Sequence, residues 1–257
     1  MKTIAIMNFK GGVGKTVTTI NMAAELANRG KRVVVIDADG QRNLSSFFGA
    51  DTESGGTLYE VLTGDAEPFY GDVLQLTKVE RVKILPASME LIHADLSALK
   101  DGTVNLMAVS ELVATIAEDD AADYVLIDCP PSFSASTTAA LAAADEVIIP
   151  LRLDAFSLAG MDELLYQIGE MRRVNPRLKV AGVLITMRHR VNAEDEAEKA
   201  LRKLPVPVFE QTIRRSVVVV KSTFVKKPMR KFALGCTVQC DYEEFVDEYL
   251  ANGGAAK

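Results

Sequence analysis

The sequence predicts an α/β fold, a mostly parallel twisted sheet with helices on both faces, and two observations carry that expectation. Short apolar runs recur along the chain: TIAIMN (3–8), RVVVIDAD (32–39), YVLIDCPPS (124–132), EVIIP (146–150) and KVAGVLITM (179–187). Helix-like stretches precede the later runs, and the first run stops at glycines, so the grammar is strand, helix, strand. Parallel strands buried on both faces read as continuous apolar runs of this kind.

Each element can be justified in order. TIAIMN carries β-branched residues and ends at GGVGKT (11–16). The helix after it places Ile20, Ala23, Ala24 and Ala27 at helical spacing, and Gly30 offers a stop. RVVVIDAD completes a βαβ unit with a right-handed crossover. The stretch Thr57 to Ser110 shows helical patterns around VKILPAS (82–88), and three further strands follow. The expected organisation is one P-loop domain over residues 1–250 and a flexible tail over 251–257.

With 257 residues, 48% hydrophobic and 25% charged, the chain can bury a full core. No apolar run approaches the roughly 18 residues that suggest a membrane span. MKTIAIMNF leaves no room for a leader, which points to a cytoplasmic protein. Three cysteines make no disulfide framework, and Cys236 and Cys240, at i,i+4, lack the partners of a metal site. Net charge is −6, yet Met171–Lys231 holds 16 Lys/Arg against 5 Asp/Glu, so an acidic total hides a basic region.

GGVGKT lies between a strand and a helix, where successive N–H groups and a helix N-terminus cradle phosphates. Gly11, Gly12, Val13 and Gly14 supply backbone donors, Lys15 reaches the β- and γ-phosphates, and the Thr16 hydroxyl is a Mg²⁺ ligand. The strict pattern is not met: Phe9 stands at the first glycine position and is followed by a second lysine, Lys10. Asp128 ends an apolar strand, suited to holding a magnesium-bound water. Asp37 and Asp39 share one strand face if that strand continues through both, one supporting the metal shell and the other orienting water.

These residues resemble the ParA/Soj partition ATPases, within the wider group that includes MinD and the nitrogenase iron protein. KGGVGKT (10–16) is similar to the deviant Walker A signature, DADGQRNLSSFFG (37–49) to the first switch, and VLIDCPPS (125–132) to Walker B with the second switch. The resemblance extends from about Lys2 to about Leu250. It implies that Lys10 crosses a homodimer interface to the partner's ATP, and that Lys15 and Val17 serve the nucleotide of their own subunit. It further implies that Asp39 positions the attacking water and that Thr16, Asp37 and Asp128 form the Mg²⁺ site. Two departures stand out: Gly40 replaces the usual proline, which should loosen the switch, and Val17 replaces a hydroxyl residue.

What the dimer binds decides the function. Arg188, Arg190, Arg214, Arg215, Lys221, Lys226, Lys227, Arg230 and Lys231 fall in or beside predicted loops, as expected for a basic face that holds nonspecific double-stranded DNA through counterion release. The resemblance then implies a nucleoid-associated partition ATPase released by a ParB-type partner. A MinD-like membrane switch needs a basic amphipathic C-terminus, whereas CDYEEFVDEYLANGGAAK is acidic. A cargo-positioning ATPase for a protein cluster shares the same switch. An iron–sulfur reductase needs cysteines flanking the switches, and none are placed so.

Overall fold

The computed structural model describes residues 1–54, 56–64, 70–100, 104–154, 160–189 and 191–254. In chain order the first half contains β1 (Lys2–Ile6), α1 (Lys15–Asn28), β2 (Val33–Asp37), α2 (Asn43–Phe48), α3 (Leu58–Thr63), α4 (Tyr70–Val73), β3 (Gln75–Leu76) and β4 (Val82–Leu85). Then come α5 (Leu91–Lys100), α6 (Ala108–Glu118), β5 (Tyr124–Asp128), α7 (Ala135–Ala143), β6 (Glu146–Arg152), α8 (Met161–Met171) and β7 (Lys179–Thr186). The rest is helical: α9 (Asn192–Leu201), α10 (Val217–Phe224), α11 (Met229–Phe232) and α12 (Thr237–Tyr249).

The seven strands form one sheet in the order β3-β4-β2-β5-β1-β6-β7. All named pairings are parallel except β3 with β4, an antiparallel edge hairpin the sequence reading did not separate from its helical surroundings. Strand alternation sends Ile4, Ile6, Val35, Tyr124 and Leu126 to one face, where α1, α2 and α12 cover them. Ala5, Val34, Ile36, Val125 and Ile127 point to the other face, under α3, α5, α6, α7 and α8. Each face therefore has its own buried apolar layer, as the continuous apolar runs require.

One local detail differs from the sequence expectation, and one helix forms against local β propensity. β2 ends at Asp37, so Asp39 lies past the strand and the two carboxylates do not share a strand face. The run SVVVV is rich in β-branched residues, yet Val217–Phe224 is helical, with Ser216 Oγ accepting from Val218 N at the cap. Tertiary packing of Val218 and Val219 on the α1 and α12 side outweighs a propensity difference of well under about 1 kcal/mol per residue. At the C-terminus the chain leaves α12 through a wide turn over Leu250–Gly254 in which Asn252 and Gly253 depart from helical geometry, and Lys2 Nζ donates to the Gly253 carbonyl. No helix among the described residues is long and apolar enough to cross a membrane.

Candidate nucleotide site

The phosphate loop is held open by its own residues. Asn8, buried at the end of β1, donates from Nδ2 to the Pro150 carbonyl at 2.8 Å and accepts from the Lys10 N–H at 2.9 Å. Gly12 and Gly14 adopt φ of 72° and 91°, in the left-handed region that a Cβ disfavours. A Cβ built at Gly11 or Gly12 would meet nothing within 4 Å, so the loop faces open space that a side chain would fill. Val13 is buried, and its carbonyl accepts from Thr186 Oγ1 at 2.7 Å, tying the loop to β7. Gly14 caps α1 without a side-chain bond, so the first-turn N–H groups lack a side-chain acceptor and can take an anion.

Lys15 is buried, and its Nζ donates to the Asn8 and Lys10 carbonyls at 3.0 and 3.1 Å. Burial lowers its pKa, opposed by nearby Asp128. Those carbonyl bonds arch the side chain back over the loop, where phosphate oxygens would be bound. Thr16 Oγ1 donates to Asp128 Oδ2 at 2.7 Å, and Thr19 Oγ1 reaches the other oxygen at 3.4 Å.

Parallel register sets Asp37 opposite Asp128 at the ends of β2 and β5. Both are buried, at 0% and 1% exposure. Burial pushes Asp128 well above the ordinary carboxylate value, and the Asp37 charge adds to it. Burial also pushes Asp37 up to about 6, against stabilising bonds from the Ser45 N–H and hydroxyl and the Asp39 N–H. Two buried carboxylates that resist ionisation side by side, next to a threonine hydroxyl, are what a divalent cation would relieve. Magnesium takes one or two carboxylates with hydroxyl, water and phosphate oxygens, so the residues fit it without a cage of three acidic or histidine ligands, of which there is none among the described residues.

These groups converge on a cavity of about 590 Å³ lined by Gly11, Gly12, Gly14, Lys15, Thr16 and Val17 on one side and by Asp39, Ser46, Met187 and Lys226 on others. Asp39 faces it from a turn in which its Oδ1 accepts from the Gln41 N–H at 2.9 Å. Lys10 lies apart from this arrangement, its Nζ 2.6 Å from Asp154, with both side chains about one-third exposed at 35% and 28%. A Cβ at Gly40 would make only ordinary contacts, the nearest 3.7 Å from Ile92, so sterics alone do not demand glycine there.

Sequence reasoning missed Asn8, Ser45 and Asp154 as supporting residues. Asn8 directly precedes the phosphate loop and Ser45 lies within NLSSFF, so proximity to the motifs was their signal. Asp154 had none, because only β6 brings it beside Lys10.

The predicted basic residues divide. Arg188 is largely buried in ion pairs with Glu194 at 3.0 Å, with Glu198 at 3.2 Å and with Asp195. Arg230 is clamped between Glu25 at 3.1 Å and Glu243 at 2.7 Å. Arg214 pairs with the buried Asp241, Nε to Oδ1 at 3.0 Å. These three are committed to internal carboxylates. Among the described residues, Lys221, Lys226, Lys227 and Lys231 are exposed and pair with no carboxylate, and the Arg215 guanidinium reaches the His189 ring and no carboxylate. Lys226, Lys227 and Lys231 gather with Lys78 around one cavity, and Arg214 and Arg215 gather with Arg152 around another. Arg190 lies outside the described residues.

Comparison with known proteins supplies the relationship. Residues 1–180 match the family model AAA_31, an AAA domain. The chromosome partitioning protein ParA of Caulobacter vibrioides is 34% identical over 98% of this chain and 94% of its own. The chromosome-partitioning ATPase Soj of Thermus thermophilus is 35% identical over 98% and 96%. The chain belongs to the ParA/Soj family. A crystal structure of cobyrinic acid a,c-diamide synthase from Mycobacterium smegmatis, with a bound ATP analogue and magnesium, is 30% identical and covers 100% of this chain and 97% of that one, with a TM-score of 0.82. For this ParA/Soj chain the phosphate loop, buried carboxylate pair and Thr16 thus sit in a fold that holds nucleotide and magnesium in a related protein.

Proposed function

We propose that this ParA/Soj-family chain is a DNA-partition ATPase: it dimerises on ATP, binds DNA without reading sequence, and is released when a ParB-type partner stimulates hydrolysis. The observation that carries the reading is the pairing of a complete nucleotide site with a second lysine, Lys10, held outside it by Asp154. Lys15 and the α1 amides bind the phosphates of the subunit's own ATP. Thr16 would hold Mg²⁺ directly, and Asp128 and Asp37 would hold its shell. When bound, the ion neutralises charge on the β- and γ-phosphates. Asp39, at the mouth of the cavity, orients the attacking water. Lys10 leaves Asp154 and enters the neighbouring subunit's site, where a cation delivered across the interface stabilises the developing charge.

The DNA face is built from Arg215, Lys221, Lys227 and Lys231, four of the five predicted basic residues whose charge no internal carboxylate answers among the described residues; the fifth, Lys226, lines the nucleotide cavity. Arg188, Arg214 and Arg230 support it from within through their ion pairs. A dimer doubles these contacts, so ATP controls DNA affinity through stoichiometry alone.

The test is sedimentation with MgATP, MgADP or no nucleotide. Wild type forms a dimer only with MgATP. Lys10→Ala binds nucleotide yet stays monomeric, and an unchanged ATP-dependent dimer would refute the role across the interface.

A further inference from the structure

The nucleotide cavity carries a second cation. Among the described residues that line it, Lys15 and Lys226 are positively charged, and Lys226 comes from the turn joining α10 to α11 rather than from the phosphate loop. Its backbone has φ of 52°, the left-handed region in which glycine is relaxed and a lysine is strained. Met187, which lines the same cavity, has φ of 53°. Of the five non-glycine residues with positive φ among the described residues, these two line one cavity, and backbone strain kept at a cavity points to a use there.

The turn is fixed to the rest of the site. Lys227 N–H donates to the Ser222 carbonyl at 3.1 Å, and Met229 N–H donates to Asn21 Oδ1 on α1 at 2.9 Å. The helix that presents Lys15 and Thr16 therefore also positions the Lys226 backbone. The ammonium itself is loosely held: Nζ reaches Ser46 Oγ on α2 at 3.3 Å, and no carboxylate among the described residues pairs with it. A charged amine on a long, neutral contact is free to exchange that hydroxyl for an anion.

The phosphate loop accounts for the terminal phosphates, and the same cavity also carries the apolar side chains of Val17, Ile20, Phe47 and Met187, which suit the nucleoside end. The anion of a nucleotide nearest its nucleoside end is the α-phosphate. Resting on the nucleotide reading above, we propose that Lys226 binds the α-phosphate, releasing Ser46 as it does so. The contact is common to ATP and ADP. It retains nucleotide through the cycle rather than sensing the γ-phosphate, and it ties α2, within the segment that resembles the first switch, to occupancy of the site.

Calorimetric titration with MgADP and with a non-hydrolysable MgATP analogue tests this. Lys226→Ala weakens both by a common factor of about tenfold, the loss of one charge-assisted contact. Lys226→Gly weakens both equally while raising the melting temperature of the nucleotide-free protein by about 2 °C, because glycine relaxes the turn. The exposed Lys203, outside the cavity, is the control for net charge, and Lys203→Ala keeps wild-type affinity. Affinities within roughly twofold of wild type in both Lys226 variants overturn the inference. So does a loss confined to the ATP analogue, an equal loss in Lys203→Ala, or a lower melting temperature in Lys226→Gly. Wild-type protein that binds neither nucleotide refutes the ATPase reading itself.

Discussion

Replacing Asp37 by asparagine should stabilise the nucleotide-free protein at pH 8 and not at pH 4. Asp37 has 0% exposure and its folded pKa stands at about 6 against an ordinary 3.8. Between those values the folded protein holds a proton that the unfolded chain has released, so stability falls as pH rises from about 4 to about 6 and the full cost persists above. The gap converts to about 3 kcal/mol. The amide removes that cost but cannot accept at both ends, and keeping the Ser45 bonds forfeits the one from Asp39 N–H, about 1 kcal/mol. Asp37→Asn should therefore gain about 2 kcal/mol at pH 8 and nothing at pH 4. Urea unfolding at the two pH values, without Mg²⁺ or nucleotide, measures it. A stability difference between variant and wild type that does not change with pH would show that Asp37 is not the strained carboxyl described here.

Further predictions concern packing and the signature lysine. A Cβ at Gly182 would lie 2.7 Å from Cε2 of Phe209, whose ring is buried and packed edge-on against Phe245 at 5.0 Å. Gly182→Ala should cost about 1–3 kcal/mol in thermal or urea unfolding, and wild-type stability would contradict that packing. Asp154→Ala removes a partner that holds Lys10 within its own subunit. For a partly exposed pair worth about 1 kcal/mol, broken once in each subunit, ATP-dependent dimerisation should tighten about thirtyfold in sedimentation, whereas weaker dimerisation would mean that Asp154 supports the interface instead. Arg214→Glu would set a carboxylate against buried Asp241 and should unfold the protein more readily, so loss of DNA binding in that variant is no evidence of contact. Lys227→Ala should keep wild-type stability and lower DNA affinity, and unchanged affinity would remove it from the face.

The central strands and the phosphate loop were legible because their signals are local. Continuous apolar runs bounded by glycine or acidic residues gave β1, β2, β5, β6 and β7, and the strand-to-helix setting of GGVGKT located the anion cradle. Asp37 and Asp128 were found as strand ends, but their pairing across the sheet comes from register. The condition on which Asp37 and Asp39 would share a face, a strand running through both, is not met, because β2 ends at Asp37. The basic segment shows the limit of charge counting. Arg188, Arg214 and Arg230 look the same in sequence as Lys221 and Lys227, yet their carboxylate partners lie on α9, α12 and α1 and become visible only in three dimensions.

The central claim is that ATP switches this chain onto DNA. Its most direct test is binding to nonspecific duplex DNA with MgATP, MgADP or no nucleotide across a salt series, with anionic lipid vesicles in parallel. The account predicts binding only with MgATP, with log affinity falling against log salt at a slope of about −5 for roughly six phosphates met by the dimer. Binding that ignores the nucleotide, or that appears on vesicles and not on DNA, would contradict it.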